Sequence, residues 1–421
     1  MQKRIAIIGA GIGGLYTALA FDEAINKDKY TFVIYERMAN VGGLWNFTED
    51  IGIDSSDGLP VHSAVYKNLI TNAPNDLAEL EFTGLFNENE KHYVNHEKYL
   101  EALVKLAEKY NLYQHIKCQH YVKSVEKSEN GFSLEIVDTA KTEMITEQFD
   151  YVIVAAGRYA LPKWPQTEGE LLRSFSGKSF HSKDTKDISI YKDKRVLCLG
   201  SGYSAQDISL LLHKAGAPFV AVNAKPGVLI DNCTFNWNDS FKLILSPMKA
   251  INGKMILFED GTSDEFDVVI VCTGYLGEFP FLENKLQLEM KNPVFPHLYE
   301  AVVNIEYPQL MFINLLPAFL PKICSYLQGH FICDILNNEL KNLPDEEKMQ
   351  QNVQNWYNQI PSTSNIDDFL KFFCDYYNNL QTFSKKIVFD KRHEKFSKFS
   401  IKLLLDGTHV EKNDKVLNDF A

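Results

Sequence analysis

Two short apolar runs, each closing in a glycine-rich elbow, constrain this chain more than any other feature. The first is "RIAIIGAGIGG" at 4–14 and the second "KRVLCLGSGYSA" at 194–205. A continuous apolar run is expected of a parallel strand covered on both faces. A glycine elbow directly after it, opening a helix, lets the backbone approach a phosphate and aims helix N-terminal amides at it. In the first elbow Gly9, Gly11 and Gly14 fit G-x-G-x-x-G, with Ala10, Ile12 and Gly13 between them. In the second, Gly200, Gly202 and Ala205 repeat the pattern around Ser201, Tyr203 and Ser204. Alanine is permitted at the third place. One dinucleotide needs one elbow, so two elbows predict two dinucleotides.

The strand after each elbow distinguishes the two. A helix from about Gly14 to Ile25 leads to the strand "YTFVIYE", which ends in Glu36. That is about 20 residues on, where an acid binds a ribose hydroxyl. NAD and FAD share that ribose, so Glu36 does not choose between them. "GGLW" comes next, with Gly43, Leu44 and Trp45 readable either as a surface turn with a core tryptophan or as part of the site. After the second elbow a helix is predicted over Tyr203–Lys214, then the strand "PFVAVNAK". It ends in Asn223, Ala224 and Lys225 without an acid, which suits the 2′-phosphate of NADPH. A solvated strand end is the alternative for Lys225.

Two further segments match each other, "FDYVIVAAG" at 149–157 and "FDVVIVCTG" at 266–274. They bracket the second elbow. We read them as strands carrying the chain out and back between a flavin domain and an inserted nicotinamide domain, with Gly157 and Gly274 at the crossings and Thr273 and Gly274 as cofactor contacts. The expected fold is α/β, two Rossmann-like domains: 1–162 and 276–421 for FAD, 163–275 for NADP. "HEKYLEALVKLAEKY" at 96–110 has helical apolar spacing. "YVKSVEK" and "GFSLEIVD" read as antiparallel strands joined at Asn130-Gly131. Val122, in the first of them, is read as a further cofactor contact.

Composition narrows the function. A net charge of -12 argues against nucleic acid. The cysteines at 118, 198, 233, 272, 324, 333 and 374 form no C-x-x-C pair, which excludes that redox dithiol and a zinc knuckle. No metal site is expected. No apolar run reaches the roughly 18 residues of a membrane span, and no leader precedes the first strand. A reducing cytoplasm is the expected compartment. The basic stretch 385–398 is read as a solvated face.

Together these residues resemble the flavin-containing monooxygenases, from about Arg4 to Met349. The resemblance rests on GAGIGG with Glu36, GGLW, Asn72 in "LITNAPNDL", "FSGKSFHS" at 175–182, and GSGYSA with "CTGYLGEFPFL". Phe175, Gly177 and His181 match a family fingerprint, while Thr185 stands where an aromatic residue is expected. Asn314 stands where a glycine is expected near the flavin. The resemblance implies FAD, NADPH and molecular oxygen, and a C4a-hydroperoxyflavin that transfers one oxygen to an amine nitrogen or a sulfide sulfur of a small molecule. It places Thr71 and Asn72 beside the flavin, Asn72 as the catalytic side chain, although the residues alone read as a turn. His181 is read as an anchor of the crossing. The absence of a catalytic carboxylate pair or a Ser-His-Asp set fits chemistry carried by a cofactor. A Baeyer–Villiger enzyme acting on ketones, a disulfide reductase and a non-catalytic redox sensor are the alternatives. Monomer and homodimer both stay open.

Overall fold

The computed structural model of this chain describes residues 2–72, 79–85, 93–225, 237–288, 295–316, 320–359, 366–386, 388–390 and 393. Cys233 and most of the basic stretch 385–398 lie outside the described residues. The chain opens with β1 (Lys3–Ile8), α1 (Ile12–Ala24), β2 (Tyr30–Tyr35), α2 (His96–Lys109) and β3 (Ile116–Lys117). An antiparallel meander comes next, β4 (His120–Ser128), β5 (Gly131–Asp138) and β6 (Glu143–Phe149). β7 (Tyr151–Val154) then lies parallel to β1 on the side away from β2.

β8 (Leu161–Pro162) and α3 (Gln166–Leu172) lead to a second sheet. Its strands are β9 (Lys178–His181), β10 (Arg195–Leu199), β11 (Phe219–Asn223), β12 (Phe241–Ile244) and, later, β16 (Val268–Val271). They are all parallel, in the order β12-β11-β10-β16-β9, and α4 (Tyr203–Lys214) joins β10 to β11. A second antiparallel meander, β13 (Met248–Asn252), β14 (Met255–Phe258) and β15 (Ser263–Glu265), precedes β16. β17 (Tyr275–Leu276) pairs antiparallel with β8. The chain then completes the first sheet with β18 (Leu298–Tyr299), β19 (Val303–Asn304) and β20 (Leu310–Phe312) and continues into α5 (Pro321–Asn337), α6 (Glu346–Gln359) and α7 (Ile366–Gln381).

The two sheets are built alike. Side chains alternate across a strand, so Ile5 and Ile7 of β1 enter a core with α1 and α5, while Ala6 and Ile8 enter one with the first meander. In β10, Val196 and Cys198 meet α4, while Leu197 and Leu199 meet α3 and the second meander. Each elbow strand therefore has helix on one face and meander on the other, which is why it reads as an unbroken apolar run. α2 forms for local reasons. The Asn95 side chain caps it by accepting from the Lys98 amide at 3.0 Å, Glu97 lies in its first turn and Lys109 in its last.

The chain leaves the first sheet after β7, through Gly157 and β8, and returns to it after β16, through Gly274 and β17, as the matching strands imply. Each of these two strands is the neighbour of its own elbow strand, β7 of β1 and β16 of β10. Their sequences match because they hold the same place in two copies of one architecture. β8 and β17, the segments just past Gly157 and Gly274, pair with each other.

Candidate cofactor sites at the two elbows

At the first elbow the GGLW turn is laid against the glycines. The Gly42 amide donates to the Ala10 carbonyl at 2.9 Å, and a Cβ on Gly11 would stand 3.3 Å from the Gly43 Cα. Gly14 meets the backbone so closely that a Cβ would lie 1.9 Å from the Gly9 carbonyl oxygen. Glu36 is buried, and its carboxylate accepts from the Ala10 amide at 2.7 Å and the Met38 amide at 2.8 Å. Burial pushes its pKa up, and those two amides with Arg37 only partly oppose the shift. The Trp45 ring lies over Tyr99 of α2, centroids 4.0 Å apart, and its buried indole N–H has no partner among the described residues. The Lys322 ammonium lies over the Tyr99 ring at 4.3 Å and pairs with Glu79 at 2.7 Å, both buried. Tyr16 of α1 donates to the same Glu79.

Thr71 is buried, its amide donating to the Val94 carbonyl at 2.9 Å, and Asn72 beside it is exposed. That backbone pairing sets Asn72 next to the start of α2, the helix that carries Tyr99. Asn314 has φ 59°, a left-handed conformation that glycine favours and asparagine tolerates. The asparagine thus keeps the backbone shape that a glycine would give. The Val122 side chain sits in the meander core, leaving its backbone as the part able to meet a cofactor.

The second elbow is more open. Ala205 is buried, Gly202 and Tyr203 are exposed, and a Cβ on Gly202 meets no atom within 4 Å. Lys225 is exposed at the end of the following strand. The Asn223 amide nitrogen is already used within the fold, donating to the Ile244 and Ser246 carbonyls at 2.9 Å each. The Gly274 carbonyl accepts from the Lys163 amide and from His181 Nε2, both at 2.9 Å, and Thr273 Oγ1 donates to the Lys163 carbonyl at 2.5 Å. These groups tie the crossing, so what Thr273 and Gly274 can offer a nucleotide is backbone N–H. His181 Nδ1 accepts from the Lys183 amide at 3.2 Å, so both ring nitrogens are engaged, and burial lowers its pKa. His181 thus joins the end of β9 to the crossing. Thr185 is buried, with Oγ1 unpartnered among the described residues.

Both sites fit dinucleotides. α1 and α4 each begin at a glycine N-cap with no capping side chain and no acid in the first turn, so nothing competes with a phosphate for their amides. Glu79, Lys322, His62, Ser63, Tyr66 and Lys186 were not marked by any sequence pattern. Only their burial and pairing in the fold single them out.

The family model described as flavin-binding monooxygenase-like matches residues 2–246 and 243–393. The chain belongs to that family. It is a flavin-dependent monooxygenase. It is 32% identical over 361 residues to a trimethylamine monooxygenase of Roseovarius sp. (strain 217), covering 84% of this chain and 78% of the relative. It is 31% identical to the senecionine N-oxygenase of Tyria jacobaeae, covering 85% and 76%. The solved structure of S-allyl-L-cysteine S-oxygenase from Allium sativum superposes with a TM-score of 0.82 at 25% identity, covering 96% of this chain and 93% of that one. The relatives are flavin monooxygenases that act on nitrogen or sulfur. Among the described residues no group of side chains could hold a metal ion, and no helix is long and apolar enough to cross a membrane.

Proposed function

We propose that this chain is an FAD- and NADPH-dependent enzyme that places one atom of molecular oxygen on an amine nitrogen or a sulfide sulfur of a small molecule. The observation that carries the reading is the pair of uncapped helix N-termini, one whose helix leads to a strand followed by Glu36 and one whose helix leads to a strand with Lys225 just beyond its end. The names of the relatives support the nucleophile class. The division into 1–162 and 276–421 for FAD and 163–275 for NADP belongs to the same proposal, supported by the β8–β17 pair at its borders.

A bound reduced flavin supplies the oxygen-activating chemistry. The chain binds and shields it. The α1 amides hold the pyrophosphate and Glu36 accepts from the ribose hydroxyl. The Trp45 indole N–H is a free donor at the GGLW turn. At the second elbow the α4 amides face the other pyrophosphate, and Lys225 meets the 2′-phosphate. The Asn72 amide, which both donates and accepts, stands by the flavin edge and excludes stray water from it.

Products from a mixed panel of amines, sulfides and ketones, supplied with NADPH and air, test the reading by mass spectrometry. N-oxides or S-oxides in proportion to NADPH consumed are expected. Esters from ketones with amines and sulfides untouched would overturn it. Asn72→Ala is expected to keep oxidising NADPH while diverting more oxygen to hydrogen peroxide. An unchanged ratio of product to NADPH would place Asn72 outside the site.

A further inference from the structure

The segment His62–Tyr66 touches the machinery of both elbows. On one side it holds the GGLW turn. His62 Nε2 donates to the Gly43 carbonyl at 2.9 Å and Ser63 Oγ to the Leu44 carbonyl at 2.5 Å. On the other it holds the helix of the second elbow. The Tyr66 hydroxyl donates to Asp207 Oδ2 of α4 at 3.0 Å, and the Tyr66 ring packs in the core that contains Ala205 and Ile208. Between these two attachments one side chain closes the segment. The Lys186 ammonium donates to the Ser63 carbonyl at 2.7 Å and reaches toward the Val65 carbonyl at 3.4 Å. Its own backbone carbonyl accepts from the Lys67 amide at 2.8 Å.

Lys186 is buried at 5% exposure, five residues past the His181 anchor of the crossing. A buried ammonium is expensive unless its donors are satisfied. Here they are satisfied by carbonyls of a segment distant in sequence. Burial lowers its pKa to about 8, with Lys183 acting in the same direction and Asp184, Asp54 and Asp50 opposing. An apolar residue would fill the volume without that cost, but it would hold no carbonyl in register. The chemistry of the position is therefore that of a peg, with direction as well as affinity.

We propose that the strap His62–Tyr66, pegged by Lys186, sets the second elbow at a fixed offset from the first, and that Lys186 is a positioning residue for hydride transfer between them. This rests on the proposed function, in which flavin and nicotinamide occupy the two elbows. In that step two electrons and one proton leave the nicotinamide together, oxidising it, and reduce the flavin. Hydride transfer needs donor and acceptor within about 3–3.5 Å, and misplacement by 1 Å costs about a hundredfold in rate. A strap bonded to both elbows controls that distance without touching either cofactor.

The test uses the holoenzyme and three variants, Lys186→Met, Lys186→Arg and Tyr66→Phe. Anaerobic stopped-flow tracks bleaching of the flavin by NADPH and, separately, by dithionite. Lys186→Met is expected to keep its flavin and to bind NADPH within about threefold, but to be reduced by NADPH at least tenfold more slowly, with dithionite reduction unchanged. Lys186→Arg restores most of the rate because a cation can still donate to both carbonyls, and Tyr66→Phe slows it in the same sense by a smaller factor. In the apoprotein, hydrogen exchange over 61–67 rises in Lys186→Met while exchange in β1 does not. If Lys186→Met does not fold, Tyr66→Phe carries the test alone. NADPH reduction at the native rate in a variant whose 61–67 segment has lost its protection would overturn the proposal. A native enzyme that binds no flavin would instead sink the reading of the elbows, and the two failures are distinct.

Discussion

The two elbows share one design and differ in how tightly the rest of the protein closes on them. At the first, α1 is buried along almost its whole length because α5 packs across it at Gly329, where a Cβ would stand 2.8 Å from the Ala20 Cβ. The GGLW turn is bonded to the elbow at Ala10, Trp45 of that turn stacks on Tyr99 of α2, and the buried Lys322–Glu79 pair is bonded to Tyr16 of α1. At the second, α4 buries one face only, and Gly202, Tyr203 and Lys225 are exposed. The difference is what two ligands of different residence require. A cofactor that stays gains from a site that must open to release it. A coenzyme that is exchanged each turnover needs an exposed one. The same supersecondary unit serves both, and the covering segments decide which.

The third place of the motif should break the comparison most sharply. Gly14→Ala puts a Cβ where the Gly9 carbonyl stands, whereas Ala205 already carries one. Overpacking of this kind costs up to roughly 3 kcal/mol or more, and Gly14→Ala is expected to give little folded yellow protein. Ala205→Gly should cost about 1 kcal/mol. Denaturant unfolding and flavin absorbance read both. The middle glycines come next. Gly11→Val is expected to be colourless because it pushes into Gly43 and the pyrophosphate space. Gly202→Val should remain yellow and folded, since nothing stands in its way, yet bind NADPH more than about tenfold more weakly. Full flavin occupancy in Gly11→Val would remove the distinction between the sites.

Smaller effects test what each second strand contributes. Glu36→Ala should weaken FAD by about 1.5–3 kcal/mol, the worth of hydrogen bonds to a charged group. Lys225→Ala should raise the KM for NADPH about tenfold and leave NADH little changed. Equal changes for both coenzymes would show that Lys225 does not meet the 2′-phosphate. The smallest effect is in pH. Burial holds the Glu36 pKa above its ordinary 4.5, so on acidification the carboxylate is lost earlier than an exposed glutamate would be. FAD retention through Glu36 is full above the raised value and lost as pH falls through it. For folding of the apoprotein the sign is opposite. Between 4.5 and the raised value the folded state holds the extra proton, so this group's contribution to stability falls as pH rises through that window. Glu36→Gln should flatten both dependences, and a flavin-release curve unchanged in that variant would assign the acid sensitivity elsewhere.

Much of the fold is legible in the sequence because it rests on local rules. The helix expected over Tyr203–Lys214 is observed at those residues, and the helix expected over 96–110 at His96–Lys109. The hairpin expected at Asn130-Gly131 is present, but it turns one residue earlier, at Glu129 and Asn130 between the paired Ser128 and Gly131. The β8–β17 pair is not legible in the same way, since two residues carry no periodicity, whereas the matching strands beside it are loud. Asn314 reads as a lost glycine until its φ shows why asparagine serves.

The sequence by itself determined the two glycine elbows, the strands and helices that flank them, and the acid at the end of one strand against the lysine beyond the other. These features arise from backbone sterics and from periodicity over a few neighbouring residues. Only the tertiary structure decided which elbow is closed and which is open, and joined Lys186 to Ser63, Lys322 to Glu79 and Tyr66 to Asp207. The physical reason is that burying a charge or a hydroxyl is tolerable only beside a partner. Those partners come from segments far apart in the chain, and no local pattern in either segment encodes the meeting.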